Sequence, residues 1–250
     1  MIEFLPVIVL VLTFVALLII GVPVAWCIAI SSMFTLMLAM PVSAATTTVS
    51  QRIATGLDSF ALLAIPFFIL SGQIMSKGGI ANRLISFAKT LVGFLPGGLA
   101  LINIVSAMLM GAIAGSAMAS ASAMGTILGP EMEKEGYSKE FGAAVNITSS
   151  TTGLVIPPSN TLIVYSLASG GVSIAALFLA GYIPGILTGL LMMIVAMIWA
   201  KKNNYPVGKR SSLKEVFVKF IDAFPSLLLL VIVIGGIIGG IFTATEASAV

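Results

Sequence analysis

The chain has 250 residues, of which 59% are hydrophobic and 8% are charged, with a formal net charge of +3 and no histidine. Because a soluble domain carries roughly 25% charged residues, this composition excludes an ordinary soluble protein and indicates a polytopic membrane protein. With one cysteine and no histidine, a Cys/His metal site and His-dependent catalysis are also excluded, and the scattered basic residues do not form a nucleic-acid signature.

The N-terminal part alternates apolar runs with a polar segment. Residues 4–20 and 24–40 are apolar, so they are either two spans with a minimal turn or one long, kinked element. Residues 41–59 are predicted to be a polar connection rich in Thr and Ser, and residues 60–75 are apolar again. Because the N-terminus lacks the positive region of a signal peptide, the first run is predicted to be a retained membrane segment.

Residues 77–94 differ from the segments around them. Apolar residues recur there at helical spacing, with Asn82, Arg83, Ser86 and Lys89 between them. This pattern predicts an amphipathic helix that lies along the membrane interface. A solvated helix on a soluble loop is the alternative.

Residues 91–130 carry no charge and have a centre of small residues. Twelve of the sixteen residues at 111–126 are Gly, Ala or Ser, a composition that lets helices approach closely. Plain close packing would explain that composition. The run is either two spans without a proper loop or a re-entrant hairpin whose tip lies at the small residues.

The most unusual stretch is residues 146–160, inside the charge-free run 141–200. It holds five consecutive hydroxyl residues, then Gly153 and the adjacent Pro157 and Pro158. The prolines disfavour a continuous helix, and backbone released at membrane depth must be buried or line a polar cavity. The stretch therefore predicts a broken helix, the device with which many secondary transporters build ion and substrate sites.

The distribution of Lys and Arg favours the hairpin. Further spans are predicted at 173–200 and 224–242, with charged loops at 131–140 and 201–222. If residues 97–130 form a re-entrant hairpin, eleven of the twelve basic residues are cytoplasmic and only Arg52 lies outside. No carboxylate lies at membrane depth, so a cation there would be held by carbonyl and hydroxyl oxygens. That arrangement suits sodium better than a proton relay.

Six motifs together resemble the large membrane subunit of tripartite ATP-independent periplasmic (TRAP) transporters, the DctM-like family. They are GAIAGSAMASA at 111–121, MGTILGP at 124–130, GYSKEFGAA at 136–144, GLVIPPS at 153–159, IPFFILSG at 65–72 and FTATEA at 242–247. The resemblance covers essentially the whole chain. It implies an all-α polytopic membrane protein, an elevator-type transporter of two inverted repeats, each with a re-entrant helical hairpin and a broken transmembrane helix.

The resemblance also implies a domain organisation, in which the chain holds the first repeat and the opening of the second. Residues 1–96 would be scaffold-type transmembrane helices with an interfacial amphipathic arm helix. Residues 97–170 would be half of the transport domain, with the hairpin at 97–134 and the broken helix at 138–168. Residues 171–223 would be a span with a cytoplasmic basic loop, and residues 224–250 would begin the second repeat.

The function implied by the resemblance is that of a permease subunit, not an enzyme, in the bacterial inner membrane. It would import organic acids, such as C4-dicarboxylates or sialic-acid-like carboxylates, with sodium as the coupling ion and no cofactor. The implied partners are a small four-helix membrane subunit, a periplasmic substrate-binding protein, the organic acid and the lipid bilayer, with no nucleic acid.

The site residues come from the same resemblance, by motif match. The sodium site of the first repeat falls on five residues that would contribute mainly backbone carbonyls: Gly111, Ala114, Gly153, Ile156 and Pro158. Neighbouring candidates for cation or substrate contact are Ser116, Ser149, Ser150 and Asn160. Serine hydroxyls also bond to their own helix, which is the alternative role for the three serines.

Three other functions are weighed against this one. A stand-alone ion-coupled carboxylate or anion carrier of the same broad fold would need no binding protein. An intramembrane enzyme would need a nucleophile with a base or paired aspartates, and no His, Asp or Glu lies within the candidate spans. In a structural scaffold subunit, the hydroxyl run would only pack helices.

Overall fold

The computed structural model describes residues 4–249, apart from the side chain of Ser76, so predictions on residues 1–3 and 250 lie outside it. Within residues 4–249 there are twelve α-helices and no sheet, which confirms the all-α class. The helices are α1 Leu5–Ile19, α2 Val24–Met37, α3 Val42–Leu57, α4 Ala64–Lys77, α5 Ile80–Val92, α6 Gly98–Ala114, α7 Ala117–Lys134, α8 Lys139–Ser150, α9 Asn160–Ala168, α10 Ile174–Lys202, α11 Leu213–Ile238 and α12 Ala244–Ala249.

The chain divides into two compact units, Met1–Ser59 and Phe60–Val250. In the first unit, α1 packs against α2, and α2 contacts α3. The chain reverses between α1 and α2 at Gly21, whose φ of +87° suits glycine. The two apolar runs at the N-terminus are therefore two packed helices rather than one kinked element.

The segment 41–59, predicted to be a polar connection, is instead the helix α3. Its threonines are satisfied within the helix, because Thr47 donates to the Ser43 carbonyl at 2.8 Å and Thr48 donates to the Ala44 carbonyl at 2.8 Å. Such bonds to the preceding turn let a Thr-rich segment remain helical. The prediction of a connection was wrong because it took polar side chains as the sign of a loop, whereas these hydroxyls bond to backbone carbonyls of their own helix.

The second unit is built around α6. Most of its residues are buried, and it contacts α4, α5, α7, α8 and α10. A helix that is apolar on all sides is typical of such an interior position. The core around it includes the fully buried side chains Leu101, Ile104, Met110, Met124 and Leu128.

The amphipathic helix predicted at 77–94 is α5. Its apolar residues Ala81, Leu84 and Ala88 are buried, and the helix packs against α6 and α11. Phe87 lies 5.7 Å from Phe220 of α11, measured between ring centroids. The apolar face of α5 thus packs on protein in this unit, while a position along the membrane interface stays a prediction.

Two segments predicted to be charged loops are largely helical. In the segment 131–140, α7 continues to Lys134 and α8 begins at Lys139. In the segment 201–222, α10 continues to Lys202 and α11 begins at Leu213, directly after its N-cap Ser212. Lys and Glu are good helix formers and serine is a favoured N-cap, so charge alone did not end these helices.

The loop after α10 is held against the turn between α7 and α8. Tyr205 stacks on Tyr137 with 4.3 Å between ring centroids, and its hydroxyl accepts a hydrogen bond from the Ser138 N–H at 3.2 Å. Phe141 and Trp199 extend this aromatic cluster. Burial raises the pKa of Tyr137 to about 12, so its ring stays neutral at physiological pH.

Among the described residues, α10 and α11 are the two helices long and apolar enough to cross a membrane. Exposed side chains along α10 include Leu179, Ile183, Leu187, Leu191 and Val195. An apolar exposed face of this length suits contact with lipid rather than water. The second unit therefore combines a packed interior around α6 with apolar outer helices.

Candidate functional site

The helical hairpin α6–α7 turns in two residues, Gly115 and Ser116. Gly115 has a φ of +60° and donates its N–H to the Gly111 carbonyl at 2.8 Å, which closes the C-terminus of α6. The Ser116 hydroxyl accepts a hydrogen bond from the Ala119 N–H at 3.4 Å and caps α7. The turn lies at the small-residue centre where the sequence indicated the hairpin tip.

The break in the following helix lies between α8 and α9. A 3-10 turn, Thr151–Leu154, follows α8, and residues 155–159 run without helix to the start of α9. Ser159 is fully buried and closes the break, since its hydroxyl donates to the Leu154 carbonyl at 2.6 Å and accepts from the Leu162 N–H at 3.3 Å. The backbone freed by the prolines is thus buried in protein, as membrane depth would require.

We expect Ser159→Ala to lower the free energy of unfolding by about 1–2 kcal/mol, because it removes both a cap and a buried bond across the break. Denaturant unfolding of the purified protein measures this loss. Ser173→Ala is the matched control, since Ser173 caps α10 at an exposed position through the Ala176 N–H. Equal losses in the two variants would contradict a special role for Ser159.

The hairpin and the break touch through their backbones at two points. A Cβ built on Gly153 would lie 2.8 Å from the Gly111 Cα, and one on Gly111 would overlap the Gly153 Cα. A Cβ on Gly115 would lie 2.9 Å from the Pro158 carbonyl oxygen. In addition, the Asn160 N–H donates to the Gly115 carbonyl at 3.3 Å. Only glycine permits approaches of this kind.

Four helix ends therefore meet in one neutral region. The C-terminal ends of α6 and α8 bring partial negative charge, and the N-terminal ends of α7 and α9 bring partial positive charge. No charged residue occurs in 91–130 or 141–200, so these dipoles are not masked by a nearby ionised side chain of the same segments. The arrangement can accommodate a cation beside the carbonyls and an anion beside the N–H groups.

An amide oxygen in this region has no partner. Asn160 Oδ1 is buried and accepts no hydrogen bond from the part of the chain that the structure describes. A Cβ on Gly115 would lie 3.4 Å from this oxygen, which places it beside the hairpin turn. Because buried polar atoms are normally satisfied, Asn160 Oδ1 is a candidate ligand oxygen beside the hairpin turn.

Three of the five predicted carbonyl residues lie where the hairpin meets the break, and the other two have contacts to other helices. Gly111, Gly153 and Pro158 lie at the junction described above. Ala114 packs on Gly72 of α4, where a Cβ would lie 2.9 Å from the Ala114 Cα, and the Ile156 side chain packs on Gly185 of α10. Any contribution of Ala114 and Ile156 to a cation site would therefore come from the backbone.

The three predicted serines have hydrogen bonds within their own helices. Ser149 and Ser150 donate to the Asn146 carbonyl at 3.2 and 2.7 Å, and Ser116 caps α7. Asn103 is a further polar residue that was not predicted. It is 1% exposed, and its Oδ1 accepts a hydrogen bond from the Ser149 hydroxyl at 3.3 Å, which joins α6 to α8. Because Asn103 is the one Asn in the apolar run 91–130, its position could have indicated a buried polar contact. Ser159, within the GLVIPPS motif, was also not predicted.

The fold is that of a helical membrane protein in which a helical hairpin meets a broken helix. The family described as "Tripartite ATP-independent periplasmic transporter, DctM component" matches residues 11–250. The chain is 56% identical over 245 residues, 98% of its length, to the uncharacterized protein YgiK of Salmonella typhimurium, of which it covers 56%. It is 42% identical to the C4-dicarboxylate TRAP transporter large permease protein DctM of Vibrio cholerae, with 94% of the chain and 52% of that protein covered.

A third relative is the sialic acid TRAP transporter large permease protein SiaM of Vibrio cholerae, at 40% identity over 80% of the chain and 47% of that protein. The chain belongs to the DctM family of TRAP transporters, which confirms the resemblance. The two relatives from Vibrio cholerae are named as transporter permeases, in agreement with the prediction that the chain is not an enzyme. It spans about half the length of these relatives.

Proposed function

We propose that the chain forms part of the large permease subunit of a sodium-coupled TRAP transporter that imports organic acids. The observation that carries the proposal is the junction of the α6–α7 turn with the break before α9. It brings four helix ends and the unpartnered Asn160 Oδ1 into a neutral region. The names of the relatives support a carboxylate substrate, since they include permeases for C4-dicarboxylates and sialic acid.

Sodium is favoured as the coupling ion by the oxygens that the junction offers. Hard cations prefer oxygen ligands, and discontinuous helices supply such ligands as freed carbonyls and helix C-terminal ends. The ligand set we propose is the carbonyls of Gly111, Ala114, Gly153, Ile156 and Pro158. Asn160 Oδ1 is the one side-chain oxygen we add to it. A proton relay would need Asp, Glu or His side chains, which the segments 91–130 and 141–200 lack.

The substrate carboxylate would bind at the same junction, beside the helix ends that carry partial positive charge. α7 and α9 both begin there, directly after their N-caps Ser116 and Ser159. Helix N-termini bind carboxylates through free N–H groups and the helix dipole. This geometry would couple the two ligands, because the sodium ion and the carboxylate would share the segment Pro158 to Asn160.

Helix lengths support a re-entrant hairpin. α6 has 17 residues, about 25 Å at 1.5 Å per residue, and α7 is uncharged only over 117–130, about 21 Å. Because the hydrocarbon core is about 30 Å thick, such helices suit entry and return on one side. The wider proposal is an elevator-type symporter in the bacterial inner membrane with a small four-helix subunit and a periplasmic binding protein.

Asn160→Ala tests the sodium site. We expect NaCl, but not equimolar KCl, to raise the melting temperature of the purified protein. We expect the variant to need about tenfold more sodium for the same effect, since tenfold corresponds to about 1.4 kcal/mol of lost ligation. Asn82→Ala is the control, because Asn82 is an exposed amide on α5.

Two outcomes would contradict the proposal. Equal stabilisation by NaCl and KCl would argue against a sodium site, and unchanged sodium dependence of Asn160→Ala would remove Asn160 from it. Uptake of a labelled C4-dicarboxylate into proteoliposomes, with and without a sodium gradient, tests coupling. Uptake that needs no binding protein would favour a stand-alone carrier.

A further inference from the structure

A polar cavity lies at the start of α6, the opposite end of that helix from the hairpin turn. It has a volume of about 420 Å³ and lies between α5, the start of α6, the loop 203–212 and the first turns of α11. Six ionisable side chains line it: Lys89, Lys209, Arg210, Lys219, Glu135 and Glu215. Four positive and two negative groups leave a net charge of +2, in a chain whose whole net charge is +3.

The walls of this cavity are held by backbone contacts. Pro96 and Val207 form an isolated β-bridge, and a Cβ on Gly208 would overlap the Gly93 carbonyl oxygen. The Arg210 guanidinium carbon lies 5.1 Å from the Phe94 ring centroid. With Tyr205 stacked on Tyr137, the loop 203–212 is tied down at both sides of the cavity, so its cations are positioned before any ligand arrives.

The four cations of the cavity form no ion pair among the described residues, although Glu135 and Glu215 line the same cavity. Within residues 4–249 the ion pairs are Arg83 with Asp222 at 3.9 Å and Lys139 with Glu133 at 3.6 Å. None of the four cavity cations takes part in them. Gly98 and Leu99 at the start of α6 also line the cavity, and that helix start has no side-chain cap. Four cations beside the start of a helix favour a multivalent oxyanion such as phosphate.

The surroundings of the cavity favour a lipid as the source of that phosphate. Beside Lys219, α11 exposes Phe217, Val218 and Ile221, and α11 is one of the helices apolar enough to cross a membrane. An anionic lipid would thus find cations for its headgroup and an apolar helix face for its acyl chains. We propose that this cavity binds the phosphate headgroup of an anionic phospholipid.

The test compares lipids and charges on the purified full-length protein in detergent. We expect phosphatidylglycerol to raise its melting temperature more than phosphatidylcholine does at equal concentration. We expect Lys209→Gln/Arg210→Gln to weaken the apparent affinity for phosphatidylglycerol about tenfold or more, since each basic group near an anionic lipid contributes substantially. Lys201→Gln/Lys202→Gln removes the same charge from the end of α10, outside the cavity, and is expected to change it less than about threefold.

The outcomes separate the alternatives. Equal effects of the two lipids, or equal losses in the two double variants, would overturn the proposal by reducing it to general surface charge. Displacement of phosphatidylglycerol by millimolar inorganic phosphate would overturn the lipid as the source in favour of a soluble phosphate. If Lys209→Gln/Arg210→Gln does not fold, Lys89→Gln/Lys219→Gln removes two charges from the walls formed by α5 and α11. The same loss of affinity for phosphatidylglycerol is then expected.

Discussion

Replacing Gly111 or Gly153 with alanine is expected to destabilise the protein by about 2–3 kcal/mol and to remove its sodium-dependent stabilisation. The new methyl group would meet backbone rather than a side chain, because each glycine faces the Cα of the other. Overpacking costs about 1–3 kcal/mol, and the contact of two backbones belongs at the upper end. The better helix propensity of alanine returns up to about 1 kcal/mol at Gly111.

The effect on sodium follows from the position of the contact. Gly111 accepts the N–H of Gly115 at the hairpin turn, and Gly153 lies in the 3-10 turn that leads into the break. Separating them would move the proposed carbonyl ligands of the two segments apart. Because a site must hold its ligands within about 0.5 Å, even a modest displacement should remove sodium binding.

Gly129→Ala is the control for this prediction. Gly129 lies in α7 of the same hairpin, and a Cβ there would meet nothing within 4 Å. We therefore expect it to leave stability unchanged or to raise it by up to about 1 kcal/mol. Melting curves with NaCl and with KCl measure both effects. Gly111→Ala and Gly153→Ala variants that melt like Gly129→Ala would show that the contact does not hold the junction.

Gly181→Ala is expected to disturb the break from the other side, whereas Gly189→Ala on the same helix is expected to be tolerated. A Cβ on Gly181 would overlap the Val155 carbonyl oxygen, and one on Gly189 would overlap the end of the Met108 side chain. The clearances are similarly short. The difference lies in what must move, because a methionine side chain adapts readily and the backbone of the break does not.

We expect Gly181→Ala to lower the free energy of unfolding by about 2 kcal/mol and to weaken sodium-dependent stabilisation. Gly189→Ala should stay within about 0.5 kcal/mol of the parent, since relief of the overlap and helix propensity oppose each other. Unfolding and sodium titrations of both variants measure this. Equal destabilisation of the two variants would contradict this expectation, because it would mean that the Met108 side chain adapts no better than the backbone of the break.

Much of the architecture followed from local features of the sequence. The charge-free runs indicated the membrane class, the small residues around Gly115 indicated the hairpin turn, and Pro157 with Pro158 indicated the break. These are features of one or a few residues, because a proline removes a hydrogen bond and a glycine relaxes φ wherever it occurs. The motif matches then placed the candidate carbonyls in segments that lie together.

Two further features were predicted wrongly although their causes are local. Residues 42–57 and most of 201–222 are helical despite their polar character, because bonds to the preceding turn and an N-cap satisfy them. Other features depended on residues far apart in the chain. The role of Asn103 depends on Ser149, and the contact of Gly111 with Gly153 joins residues 42 positions apart.

The physical reason for this division is the range of the interactions involved. Hydrophobic composition is a property of each segment, and the backbone restrictions of Gly and Pro act within one helical turn. The sequence by itself therefore determined an all-α membrane protein with a hairpin turn and a broken helix. Packing determined the rest. Only the tertiary structure decided which glycines touch, that Asn103 meets Ser149, and that Asn160 Oδ1 stays unpartnered beside the turn.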